Sequence, residues 1–88
     1  MNKKRRKCID SVILKINNLQ DIIEELQQDI EDIVADEQDY LDNIPENLQG
    51  SERYEAGEEA VENLEAAIDW LDDINLSELE ELLEDAKG

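Results

Sequence analysis

The sequence predicts an all-α protein built as an antiparallel coiled-coil helical hairpin. Three observations carry this. Apolar residues recur at alternating three- and four-residue steps from Ile9 to Ile44. No glycine or proline interrupts residues 8–44. A break marked by Pro45 and Gly50 then separates this run from a second one of the same period. The expected helices cover about 8–44, 52–74 and 78–86. Residues 1–7 are expected as a basic flexible tail, and residues 8–88 as a single hairpin domain.

The first helix has the stronger pattern. In heptad terms, Ile9, Ile16, Ile23, Ile30, Glu37 and Ile44 occupy a, and Val12, Leu19, Leu26, Ile33 and Tyr40 occupy d. Only Glu37 among them is charged, so an a/d seam is expected. About 36 residues of helix span about 54 Å. Pro45 stops the helix because it pushes Ile44 out of the α region. Ser51 is a fit N-cap for the second helix, and Glu52 and Glu55 suit the positive end of its dipole. The second seam reads Tyr54, Gly57, Val61, Leu64, Ile68, Leu71 and falters at Asn75. Ser77 with Glu80 then has the form of a capping box opening a short last helix. Folding at 45–50 pairs Ile44 with Tyr54, Tyr40 with Gly57, Ile33 with Leu64, and Ile16 with Leu82. It also carries the basic tail and Lys15 toward Glu81, Glu84 and Asp85.

Composition narrows the function. Twenty-six acids face eight bases, a net charge of −18, and five of the bases lie in Lys3–Lys7. Residues 8–88 hold all the acids and three bases, a net −23. Such a surface repels nucleic acid and anionic membranes and attracts basic proteins. Direct nucleic-acid binding is therefore not expected, although Lys3–Lys7 has the form of a basic arm. No apolar run of about 18 residues exists to span a membrane. The apolar stretch Cys8–Leu14 behind the bases is a poor signal peptide, since Asp10 and Lys15 interrupt it. The single cysteine, Cys8, forms no internal disulfide and fits a reducing compartment.

Catalytic groups are scarce. Without histidine there is no nucleophilic triad, and one cysteine without histidine gives no ordinary zinc site. Gly-rich phosphate loops and calcium-loop patterns are absent. Glu58-Glu59-Ala-Val-Glu62 matches half of the paired carboxylate motif of all-α nucleotide pyrophosphatases, but the second half, E-x-x-D, is missing downstream. Asn75-Leu-Ser77 fits a glycosylation acceptor and is better read as a helix cap. The reading is a protein that is not an enzyme and uses no metal or cofactor.

Three surfaces remain as candidates. The first is an acidic partner-binding face of Asp29, Asp32, Asp36 and Asp39 on the first helix with Glu58, Glu62, Glu65 and Asp69 on the second. Eleven acids from Asp21 to Glu46 and fourteen from Glu52 to Asp85 give each arm one acid per about 3.5 Å. Two arms side by side approach the charge spacing of duplex DNA, about 1.7 Å; a solvated surface reaches the same density. The second is an apolar interface of Ile22, Trp70 and Ile74, off the seams, through which two hairpins would dimerise into a four-helix bundle. The third is the turn: Pro45, Leu48 packing on Ile44 or Tyr54, Ser51 as cap, and Arg53 pairing with Glu46, Glu52 and Glu55.

The turn also carries a resemblance. Asn43-Ile-Pro45-Glu46-Asn-Leu48-Gln49-Gly-Ser51-Glu52-Arg53 resembles the Asn-x-Pro-Glu-x-Leu-Gln-x-Ser-Glu-Arg turn of short acidic helical proteins of phages and prophages of Gram-positive bacteria. The likeness covers roughly residues 20–75. It implies a bacterial cytoplasmic setting and no particular activity, since those proteins are mostly of unknown function. Together with the charge, it leads to the expectation of a small interaction protein. Its partner would be a host DNA-handling or defence protein with a basic, DNA-binding surface, inhibited in the manner of a DNA mimic. The alternative expectation is a homo-oligomeric coiled-coil scaffold of a phage with no inhibitory activity.

Overall fold

The computed structural model describes residues 1–88 and is all-α. Helix α1 covers Lys3–Asp42, a single 3-10 turn covers Glu46–Leu48, α2 covers Glu52–Asp72 and α3 covers Leu76–Ala86. The chain folds as a helical hairpin: the C-terminal part of α1 packs with α2, and the N-terminal part of α1 packs with α3. It divides into two compact units, Met1–Glu25 with Ile74–Gly88, and Leu26–Asp73.

Helix α1 starts earlier than its sequence suggests. Asn2 caps it, accepting from the Arg5 amide at 2.8 Å, so Lys3–Lys7 form its opening turns and not a flexible tail. No acid lies in that first turn, and five bases oppose the helix dipole there. At its other end α1 stops two residues short of Ile44. The Asp39 carbonyl accepts from both the Asn43 backbone amide at 3.2 Å and the Asn43 side-chain amide at 2.8 Å, which closes the last turn of the helix. Ser51 caps α2 as expected, accepting from the Tyr54 amide at 3.3 Å.

Helix α3 is capped differently from the expected box. Asn75 accepts from the Glu78 amide at 3.0 Å, and its own amide reaches the Glu78 carboxylate at 3.4 Å. Ser77 lies inside the helix. Asparagine is as good a cap as serine, and placing it here lets Leu76 enter the helix and bury.

The seam on α1 is the main departure. The a row is covered as expected, with Ile16 and Ile23 buried and Ile9, Ile30 and Glu37 half-buried. Its companion is the e row, where Ile13, Gln27, Val34 and Leu41 are covered. The expected d row of Val12, Leu19, Leu26, Ile33 and Tyr40 is 45–52 % exposed. The apolar sector of α1 spans d, a and e, which is wider than one neighbouring helix covers. The closest approach decides which part is covered. At Gly57 a β-carbon would stand 2.6 Å from Leu41 Cδ2 and 2.8 Å from Glu37 Oε1. The large-against-small layer therefore exists, but Leu41 and Glu37 form it with Gly57, and Tyr40 does not.

On α2 the expected seam is the observed one. Gly57 and Val61 are buried, and Tyr54, Leu64, Ile68 and Leu71 are half-buried. A hydrogen bond from half-buried Gln27 to Asp72 adds a second fixed point to the α1–α2 register. Within the first unit Leu76 is buried, while Leu82, expected against Ile16, is exposed. No side chain anywhere is completely sealed from solvent.

A carboxylate groove and an apolar turn cavity as the candidate functional site

Two concave features lie within residues 26–73. The larger is a groove of about 430 Å³ between α1 and α2. Leu41, Val61 and Tyr54 line it alongside Gln38, Asp42, Glu58, Glu62 and Glu65. Its position follows from helix geometry. Glu58, Glu62 and Glu65 recur at steps of four and three on α2, beside the seam, and Gln38 and Asp42 flank Leu41 on α1. Four carboxylates thus border an apolar floor, and no base lines the groove. None of these four acids makes an ion pair, since both salt bridges of the molecule belong to Lys87.

The structure splits the expected acidic face. Glu58, Glu62 and Glu65 line the groove, and Asp69 lies exposed on the same flank of α2. Asp29, Asp32, Asp36 and Asp39 are all exposed but point away from the groove, because their positions in the heptad lie opposite the a/e seam. On α1, Asp42 and Gln38 take their place. The sequence signal for this was present in the e row, but Gln20, Gln27 and the acid Glu37 in the neighbouring a row obscured it.

The smaller feature is a cavity of about 420 Å³ at the turn, lined by Tyr40, Asn43, Ile44, Pro45, Leu48, Ser51 and Arg53. All four turn residues singled out from the sequence meet here. Leu48 is half exposed at its edge and is not packed away. Arg53 forms no ion pair with Glu46, Glu52 or Glu55; it lines the cavity instead.

The chain matches no protein-family model, curated protein or solved structure.

The remaining candidates are placed as follows. Trp70 is 69 % exposed, on the flank of α2 opposite the carboxylates. In the other unit Ile22 is exposed and Ile74 half-buried. Glu59, the middle acid of the Glu58-Glu59-Ala-Val-Glu62 motif, does not line the groove with Glu58 and Glu62. No three acidic or cysteine side chains converge in a way that could hold a metal ion. No helix is long and apolar enough to cross a membrane.

Chemically, the groove suits cationic side chains. A lysine or arginine has an aliphatic stem and a charged head, and it binds best where the stem meets apolar surface and the head meets carboxylates. Leu41 and Val61 supply the first, and Asp42, Glu58, Glu62 and Glu65 the second.

Proposed function

We propose that this protein is a small acidic interaction protein. In this reading it binds the basic, DNA-binding surface of a host DNA-handling or defence protein and blocks it. The observation that carries this reading is the groove bordered by Asp42, Glu58, Glu62 and Glu65 with no base among them. The charge of −18 supports it by steering basic partners from a distance, and the phage-like turn supplies the setting. Unpaired carboxylates on a solvated helix gain little by themselves, so affinity would come from several charge-assisted contacts made together.

The test is capture of partners from the lysate of a phage-susceptible Gram-positive host, washed with and without competing duplex DNA. A retained DNA-binding protein that DNA displaces supports the reading. Replacing Glu58, Glu62 and Glu65 by Gln should then abolish capture, whereas Asp29, Asp32, Asp36 and Asp39 replaced by Asn should weaken it only through lost long-range attraction. Capture that survives the glutamine variant would refute the groove as the contact.

A further inference from the structure

The side of the α1–α2 pair opposite the carboxylates is built differently. On α1, Leu26, Asp29, Ile33, Asp36 and Tyr40 follow one another at steps of three and four, so they form one flank, and its three large apolar side chains are about half exposed. On α2 the equivalent flank is Arg53, Ala56, Ala60, Asn63, Ala67 and Trp70. It contains no acid, although acids make up 26 of the 88 residues. Tyr40 and Arg53 line the same turn cavity, which places the two flanks on one side of the pair. Gln38 and Asp42 share the groove on the other side with Glu58, Glu62 and Glu65.

We propose that this side is the contact surface for a second copy of the same chain, in a two-fold dimer whose axis runs along the helices. Such an axis lays α1 of each copy over α2 of the other. The surfaces are then self-complementary in shape. Gly57 stands level with Leu41 and Glu37, so Tyr40 of one copy meets Ala56 of the other, and Ile33 meets the stretch Ala60–Asn63. Large side chains enter spaces left by alanines, as interdigitating cores require. Every helix gains an antiparallel neighbour, the arrangement of a four-helix bundle. The wide apolar sector of α1 is then fully used: a and e inside the pair, d between copies.

Charge selects the same surface. Two chains of −18 repel wherever acids face each other. The α2 flank is where they do not. Arg53, the one base among residues 26–73, ends that flank and lines the turn cavity together with Tyr40, so the end of the surface nearest the turn is basic. A single surface that fits itself is the requirement of an isologous two-fold contact. The carboxylate groove faces away and stays open, so the proposal stands independently of the function proposed above.

The experiment is sedimentation of the wild type across a concentration series, with emission of Trp70, the only tryptophan, followed in parallel. The expected species has twice the 10.1 kDa chain mass, and its emission moves to longer wavelength as dilution uncovers Trp70. A60E and I33E, at positions exposed in the single chain, should each weaken self-association by about a hundredfold or more by setting an unpaired charge in the contact. A60E introduces a good helix former at a solvent position, so retained helicity shows that folding is intact. Axis direction is read by crosslinking in a Cys8→Ser background. Chains with Y40C mixed with chains with A56C should form a disulfide between copies. A monomer throughout the series, an open-ended oligomer, a dimer unmoved by A60E and I33E, or Y40C chains that crosslink only to each other would overturn the proposal.

Discussion

Between residues 26 and 73 the helices are held at close range by a side chain that is missing. In the unit of residues 1–25 and 74–88 they are held by side chains that reach. At Gly57 the absent β-carbon lets Leu41 and Glu37 pack against the α2 backbone, and no ion pair is formed anywhere in that unit. In the other unit Lys87 meets Asp10 at 2.7 Å and Glu84 at 3.0 Å, and Arg6 Nε donates to the Lys87 carbonyl at 3.1 Å. The distribution of bases explains the contrast. Seven of the eight lie in the unit of residues 1–25 and 74–88, and both salt bridges of the molecule form there. Where acids have no counter-charge, the arms depend on close apolar contact instead.

The sharpest way to break that contrast is at Leu41. It is 6 % exposed, and Leu41→Ala removes the main apolar contact of Gly57. A loss of about 3 kcal/mol is expected in urea unfolding followed by circular dichroism. Leu19→Ala, at a d position that is 45 % exposed, should cost under about 1 kcal/mol. Equal losses would restore the a/d seam. The glycine itself comes next. Gly57→Leu must push the arms apart and should cost about 2 kcal/mol. Gly57→Ala gains up to about 1 kcal/mol of helix propensity and loses a similar amount by displacing the ends of Leu41 and Glu37, so it should fall near neutral.

A smaller effect separates the two candidate caps of α3. Asn75→Ala should cost about 1 kcal/mol, and Ser77→Ala should be close to silent. The reverse order would place the helix start at Ser77.

The smallest expected effect belongs to the polar unit. Hydrogen bonds to Asp10, and then to Glu84, raise the Lys87 pKa above its ordinary 10.5. A raised lysine pKa contributes stability that is complete below the unfolded value and fades as pH climbs through the folded value. The melting difference between wild type and Lys87→Met should therefore be constant from neutral pH to about pH 9 and shrink above about pH 10.5. A difference that stayed constant through about pH 11 would show that the lysine charge contributes nothing to the clasp.

Much of this architecture was readable in the residues. Pro45 and Ser51 mark the turn, and the α2 seam follows its heptad, because each signal there is a single residue with one mechanism. On α1 the same logic stalled. Its apolar residues occupy three adjacent rows, and periodicity reports the centre of an apolar sector, not which part a neighbour covers. Two glutamines in the e row, Gln20 and Gln27, and Glu37 in the a row shifted the apparent centre toward d. The start of α1 was concealed because a run of bases looks unstructured, while the Asn2 cap that organises it is one residue near the end. The groove was half legible. Its α2 acids were found by spacing, but its α1 side depended on the seam.

The lack of any fully sealed side chain has a thermodynamic consequence. Five apolar side chains, Ile16, Ile23, Leu41, Val61 and Leu76, are 6–9 % exposed and none is fully sealed, so unfolding a single chain uncovers less apolar surface than unfolding a domain with a sealed core. The heat-capacity increment should therefore fall below the usual ~12–15 cal/mol/K per residue, and the stability curve should be correspondingly flat. Such a protein loses structure gradually on warming and responds weakly to cold.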